Sequence, residues 1–100
     1  MDNQTYVDDF VLASGESKEI VVNSSIPLWV GFMSSAGMEE FEKYGESNPV
    51  KLSQPGSGSW VETLMGGSIL LNPTDGQLRC VLENNAPEAL EFVVYTKEDM

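Results

Sequence analysis

The chain has no histidine and a single cysteine, and its five lysines and arginines face sixteen aspartates and glutamates. Each shortage excludes a class of chemistry. Without histidine, the commonest general base and the commonest transition-metal ligand are missing. One cysteine cannot form an internal disulfide, a structural zinc site or a dithiol redox pair. No base is evident near Cys80 to raise its thiolate fraction, so it reads as a small core residue. No apolar run approaches the ~20 residues that span a bilayer. The start, MDNQTYVDD, is acidic and lacks an apolar h-region, so no secretory signal is expected. On that expectation the triplets Asn3–Thr5 and Asn23–Ser25 are coincidental rather than glycosylation acceptors.

The net charge of −11 is the strongest anomaly of composition. It repels nucleic acid and anionic membrane at long range and favours basic protein partners. It also keeps a surface soluble. An apolar fraction of 41% with 21% charged residues is ordinary for a globular chain. One hundred residues make one domain, 1–100, with flexibility expected only at 1–5 and 97–100.

What is present is alternation. TYVDDFVLA (5–13) carries β-branched and aromatic residues and ends at the turn SGES. KEIVVN (18–23) places Ile20 and Val22 on one face. LWVGFM (28–33) is apolar on both faces, so it is a central strand or one of its faces meets a partner. In QLRCVLE (77–83), Leu78, Cys80 and Leu82 point in. In LEFVVYT (90–96), Leu90, Phe92 and Val94 are opposite Glu91, Val93 and Tyr95.

Shorter segments fill the gaps. PVKLS (49–53) starts with Pro49, which suits a sheet edge. SWVETLM (59–65) sets Trp60, Glu62 and Leu64 on one face. Gly66–Gly67 permits a bulge or tight reversal. SILLN (68–72) runs into the hairpin turn PTDG, where Gly76 can take positive φ. One segment suits a short helix, AGMEEFEKYG (36–45): Met38 and Phe41 share a face, Glu39 precedes Lys43 by four, and Gly45 supplies a stop. About eight short strands with regular turn signals predict an all-β fold, a two-sheet sandwich of jelly-roll or Greek-key type.

No P-loop, GxGxxG or calcium-loop spacing occurs, and GSGS (56–59) precedes a strand, so it reads as a turn. Asp8 and Asp9 are adjacent and fall on opposite sides of a strand. Glu39, Glu40 and Glu42 read as solvated surface. Trp29, mid-strand among apolar neighbours, reads as core. No catalytic residue, cofactor or metal is expected. The candidate partner-binding residues are Tyr6, Phe41, Tyr44 and Trp60.

The stretch SSIPLWVGFMSS, the Gly/Ser turn into SW, and the NPTDGQL hairpin resemble small β-sandwich accessory proteins of tailed bacteriophages, such as capsid decoration or cement proteins and head or tail fibre modules. That resemblance implies a virion protein, assembled in the host cytoplasm. It would bind the outer capsid surface, often as a trimer, and reinforce the shell. It implies a homo-oligomer with protein partners, an N-terminal arm at Met1–Tyr6, and edge strands that pair or pack on the shell. Two other readings stay open. An acidic DNA-mimic inhibitor of a host defence nuclease would array its carboxylates on one face. A carbohydrate-binding module would present coplanar aromatics, for which Trp60, Tyr44 and Tyr95 are candidates.

Overall fold

A computed structural model describes residues 4–99. Met1–Asn3 and Met100 lie outside the described residues, and with them the first half of the expected N-terminal arm. Eight strands form: β1 Gln4–Leu12, β2 Ser17–Asn23, β3 Leu28–Ser34, β4 Val50–Gln54, β5 Ser59–Thr63, β6 Gly66–Leu71, β7 Gln77–Asn84 and β8 Leu90–Glu98. One helix, α1 Met38–Tyr44, runs into a 3-10 turn at Gly45–Ser47.

The first strand pairs with the last, the second with the seventh, the third with the sixth and the fourth with the fifth, all antiparallel. The chain is thus one long hairpin, its tip at the β4–β5 turn, rolled so that successive strand pairs alternate between two sheets. Further β3–β8 and β4–β7 pairing closes each sheet, in the orders β1-β8-β3-β6 and β2-β7-β4-β5. Of the two connectivities left open by the sequence, this is the jelly roll.

The inner faces supply one core. Val30, Phe32, Leu52, Leu71, Leu78, Leu82, Phe92 and Val94 are at most 1% exposed. Phe32 meets the edge of Phe92 at 5.7 Å between centroids, and Phe10 tilts against the same ring at 6.1 Å. Along β7 and β8 the alternation of the sequence is the alternation of burial. Cys80 is buried within this core. Where β1 and β2 leave the sandwich open, the Lys18 ammonium lies 5.2 Å above the Phe10 ring.

Several local expectations need correction. Residues 4–5 and 97–98 are paired strand, Gln4 with Lys97 and Leu28 with Glu98, not loose ends. Pro49 does not mark an edge: β4 starts one residue later and lies between β7 and β5. Proline is excluded from the ladder itself, not from the residue before it. Leu64 lies past the end of β5 and turns inward, 2% exposed, away from the face of Trp60 and Glu62. Gly66 and Gly67 open β6 rather than form a reversal. At Gly66 a Cβ would stand 2.8 Å from the Phe32 carbonyl oxygen, so close backbone approach is what requires glycine there. Gly45 stays right-handed, and the chain leaves the helical turns at Asn48, φ 45°. The PTDG turn is as expected, with Asp75 (φ 54°) and Gly76 (φ 76°) between Thr74 and Gln77, whose backbones exchange bonds of 2.8 and 3.1 Å.

Candidate interaction face

The outer face of the β1-β8-β3-β6 sheet follows from the register. Positions opposite the core residues fall in rows: Asp9, Val93 and Met33; then Tyr6, Tyr95, Gly31 and Ser68; then Lys97, Trp29 and Leu70. Val11 stands beside Glu91 at one margin. Tyr6 is 61% exposed, Val11 60% and Met33 53%. Gly31 decides the relief of the centre: a Cβ there would meet the Tyr95 ring at 2.6 Å, so the ring lies across the bare backbone of β3. An aromatic covering a strand glycine shields its exposed backbone.

Polar groups fix the aromatics in place. The Tyr6 hydroxyl donates to Asp9, and the Trp29 indole N–H donates to Asp99 Oδ1 at 3.1 Å. The bond to Asp9 is the first cause that holds the Tyr6 phenol above its usual pKa of 10, with desolvation second. A phenol held protonated in this way donates a hydrogen bond and does not act as a base. Two shallow depressions of about 300 Å³ each open on this face. One is walled by Val11, Met33 and Val93 with Asp9 and Glu91 at its rim; the other by Trp29, Tyr95 and Ser68 beside Lys97.

The outer face of the second sheet differs. Arg79 stands 3.7 Å from Glu19, and Lys51 faces Glu83 and Glu62 across its neighbouring strands. Trp60, 58% exposed, sits on the edge strand β5 of this charged face. Its N–H donates to Glu62 at 3.1 Å and the Lys51 ammonium lies 6.0 Å from its ring.

The end of the sandwich that carries α1 is different again. Glu40 Oε1 accepts the Gly37 N–H at 2.8 Å, the main reason its carboxyl titrates below the ordinary glutamate value. Glu39 and Lys43 pair at 3.1 Å. Tyr44 is half-buried and its hydroxyl donates to Glu88 at 2.9 Å, which raises the phenol's pKa. Phe41 is half exposed beside it.

The structure therefore divides the four sequence candidates among three surfaces. Tyr6 lies on the apolar sheet face, Trp60 on the opposite sheet, and Phe41 with Tyr44 at the α1 end. Met33, Val93, Val11 and Trp29 were missed. For Met33 and Trp29 the signal was the LWVGFM strand, apolar on both faces, whose second face is this surface; Val11 and Val93 reach it only through strand pairing. Trp29 is not core: it is half-buried on the outside of the sheet. Asp8 and Asp9 do face opposite sides, Asp9 toward the apolar face and Asp8 toward the gap beside Lys18. Among the described residues no group of three or more Cys, Asp or Glu is placed to hold a metal ion.

No protein-family model and no curated protein matches the sequence. Among solved structures the chain is similar to the solution NMR structure of a de novo designed double-stranded β-helix, with a TM-score of 0.58 and 18% identity over 94% of this chain and 97% of that one. A likeness at that identity concerns the fold, and it agrees with the rolled-hairpin connectivity.

Proposed function

We propose that the protein is a non-catalytic accessory subunit that docks on a larger protein surface, a phage capsid, through the outer face of its β1-β8-β3-β6 sheet. The observation that carries this reading is the grouping of Tyr6, Val11, Met33 and Val93 on one sheet face around Trp29 and Tyr95, while the other sheet turns charge outward. Contiguous exposed apolar surface rimmed by polar groups is the mark of a docking site. Completing the burial of each of these side chains contributes about 1–2 kcal/mol. The sequence resemblance to capsid decoration proteins supplies the kind of partner. The absence of histidine and a Cys80 thiol pushed up to about 12, mainly by burial, support adhesion over turnover.

The test is mass spectrometry of purified particles from the source, with Met33→Lys and Val93→Glu introduced separately. The wild-type chain is expected in the particles, both variants are expected to be lost from them at unchanged melting temperature, and Trp60→Ala is expected to remain. Absence of the wild type from particles, or retention of both charged variants, would overturn the reading.

A second reading rests on the distribution of acids. α1 and the 3-10 turn after it carry Glu39, Glu40, Glu42 and Glu46 against Lys43, and the Tyr44 hydroxyl holds Glu88 beside them. That asymmetry favours an inhibitor that presents carboxylates to a basic nuclease. It predicts co-purification with such an enzyme, lost steeply as salt rises.

A further inference from the structure

Four strands end the two sheets: β1 and β6 in one, β2 and β5 in the other. An edge strand offers unpaired N–H and C=O groups to any other strand, and proteins blunt that offer with charge, bulges or short length. β1 carries Asp8 and Asp9 and breaks its register between Tyr6 and Asp8. β2 carries Lys18 and Glu19. β5 has five residues, one of them Glu62. β6, GGSILL, has no charge, no proline and an unbroken register with β3.

The strand beside it, β3, is also uncharged, and the nearest charges on that side are Lys97, Glu98 and Asp99 across β3. No acid or base lies between Glu62 and Asp75, and none between Glu19 and Glu39. The first stretch holds β6 and the second holds β3, and these two strands are neighbours. Half of one sheet is thus free of charge, in a chain that carries −11. Two such chains repel wherever their acids meet. They approach with least repulsion here, where Leu70 and Trp29 flank the edge and Met65, 44% exposed, leads into it.

We infer that β6 pairs antiparallel with β6 of a second copy. The two sheets then continue as one, and both apolar outer faces come to lie on the same side. Such a contact is self-complementary and closes at two copies. The Thr63 hydroxyl already donates to the Gly66 carbonyl at 3.2 Å, so the open edge is residues 67–71, about 17 Å long, and by itself makes a small interface. The dimer is therefore concentration-dependent. It tightens as salt rises, because screening removes repulsion and costs no ion pair at the contact. The inference stands apart from the capsid reading: a monomeric chain that still binds particles would overturn it and leave that reading intact.

The test is sedimentation equilibrium over a concentration series at low and high salt. A monomer–dimer equilibrium is expected, shifted toward dimer by salt. Leu70→Lys and Ser68→Lys each bring like charges together across the two-fold axis and are expected to weaken the dimer by about tenfold or more. Val11→Lys, at the opposite margin, is expected to leave it unchanged, and circular dichroism checks that every variant folds. Hydrogen exchange is expected to show β6 amides more protected in concentrated than in dilute solution. A monomer at millimolar concentration in high salt, a trimer mass, dimers unaffected by either β6 lysine, or β6 protection that appears only with particles would each overturn the inference.

Discussion

Asn84 is the one fully buried side-chain amide among the described residues, and it ties three segments together. Its Nδ2 donates to the Leu12 carbonyl at 2.9 Å and the Glu88 carbonyl at 3.0 Å, and its Oδ1 accepts the Ala86 N–H at 3.0 Å. Asn84→Leu has a similar volume but strands those backbone groups away from water. It is expected to cost about 2–4 kcal/mol and to lower the melting temperature by roughly 10–20 °C. A calorimetric shift of only a few degrees would show that water reaches the knot. Cys80 gives a second prediction at this scale. Burial first and Glu19 second push its folded thiol up to about 12, from an ordinary value of 9.0. The folded state therefore keeps a proton that the unfolded chain gives up. This stability is fully present below pH 9 and is lost as pH rises toward 12. A thiol reagent at pH 8 should label the native protein only as fast as it unfolds; rapid stoichiometric labelling would contradict this. Cys80 was legible because strict alternation placed it between Leu78 and Leu82. Asn84 continues the same parity, yet "NN" before a proline reads as a turn, and composition hid the signal.

Elements were legible to the extent that local rules made them. Alternation and turn residues are short-range properties, so all eight strands and the short helix appear near their expected places. The errors occur where a local cue has two physical causes. Glycine marks a reversal or a close approach, and at Gly66 it is the approach. The two glycines in the β3–β6 ladder make a measurable contrast. A Cβ at Gly66 would press on the Phe32 backbone carbonyl at 2.8 Å, and a ladder strand has no room to retreat. At Gly31 the obstruction is the Tyr95 ring at 2.6 Å, a side chain that can swing outward. Gly66→Ala is expected to cost about 1–3 kcal/mol and Gly31→Ala less, measured as denaturant midpoints at constant slope. The reverse order would mean that the Tyr95 ring is fixed more firmly than the strand backbone.

At the scale of the whole molecule the sequence was least informative. β1 pairs with β8 and β2 with β7, contacts between residues far apart along the chain, and no local pattern encodes which strands meet. The apolar sheet face was half legible for the same reason: β3 announced two apolar faces, but Tyr6, Val11 and Val93 join it only through pairing. Net charge, by contrast, is fully legible and acts on the whole fold. The chain carries sixteen acids and five bases, its described residues form a body of 39 × 32 × 21 Å, and the two ion pairs among them are both exposed. At an ionic strength of about 0.01 M the Debye length is roughly 30 Å, comparable to the molecule, so nearly every acid feels every other. At about 1 M it is roughly 3 Å, and that repulsion is gone. Exposed ion pairs contribute little, so their screening costs little. The folded state, which concentrates the charge, gains more from salt than the expanded unfolded chain does. The melting temperature is therefore expected to rise by several degrees between those salt levels. It should be measured at dilution low enough to keep the chain monomeric and repeated with Leu70→Lys, so that strengthened self-association does not contribute. A flat or falling melting temperature in chloride would mean that the acids are already neutralised within the fold, through raised carboxyl pKa values or unrecognised pairing.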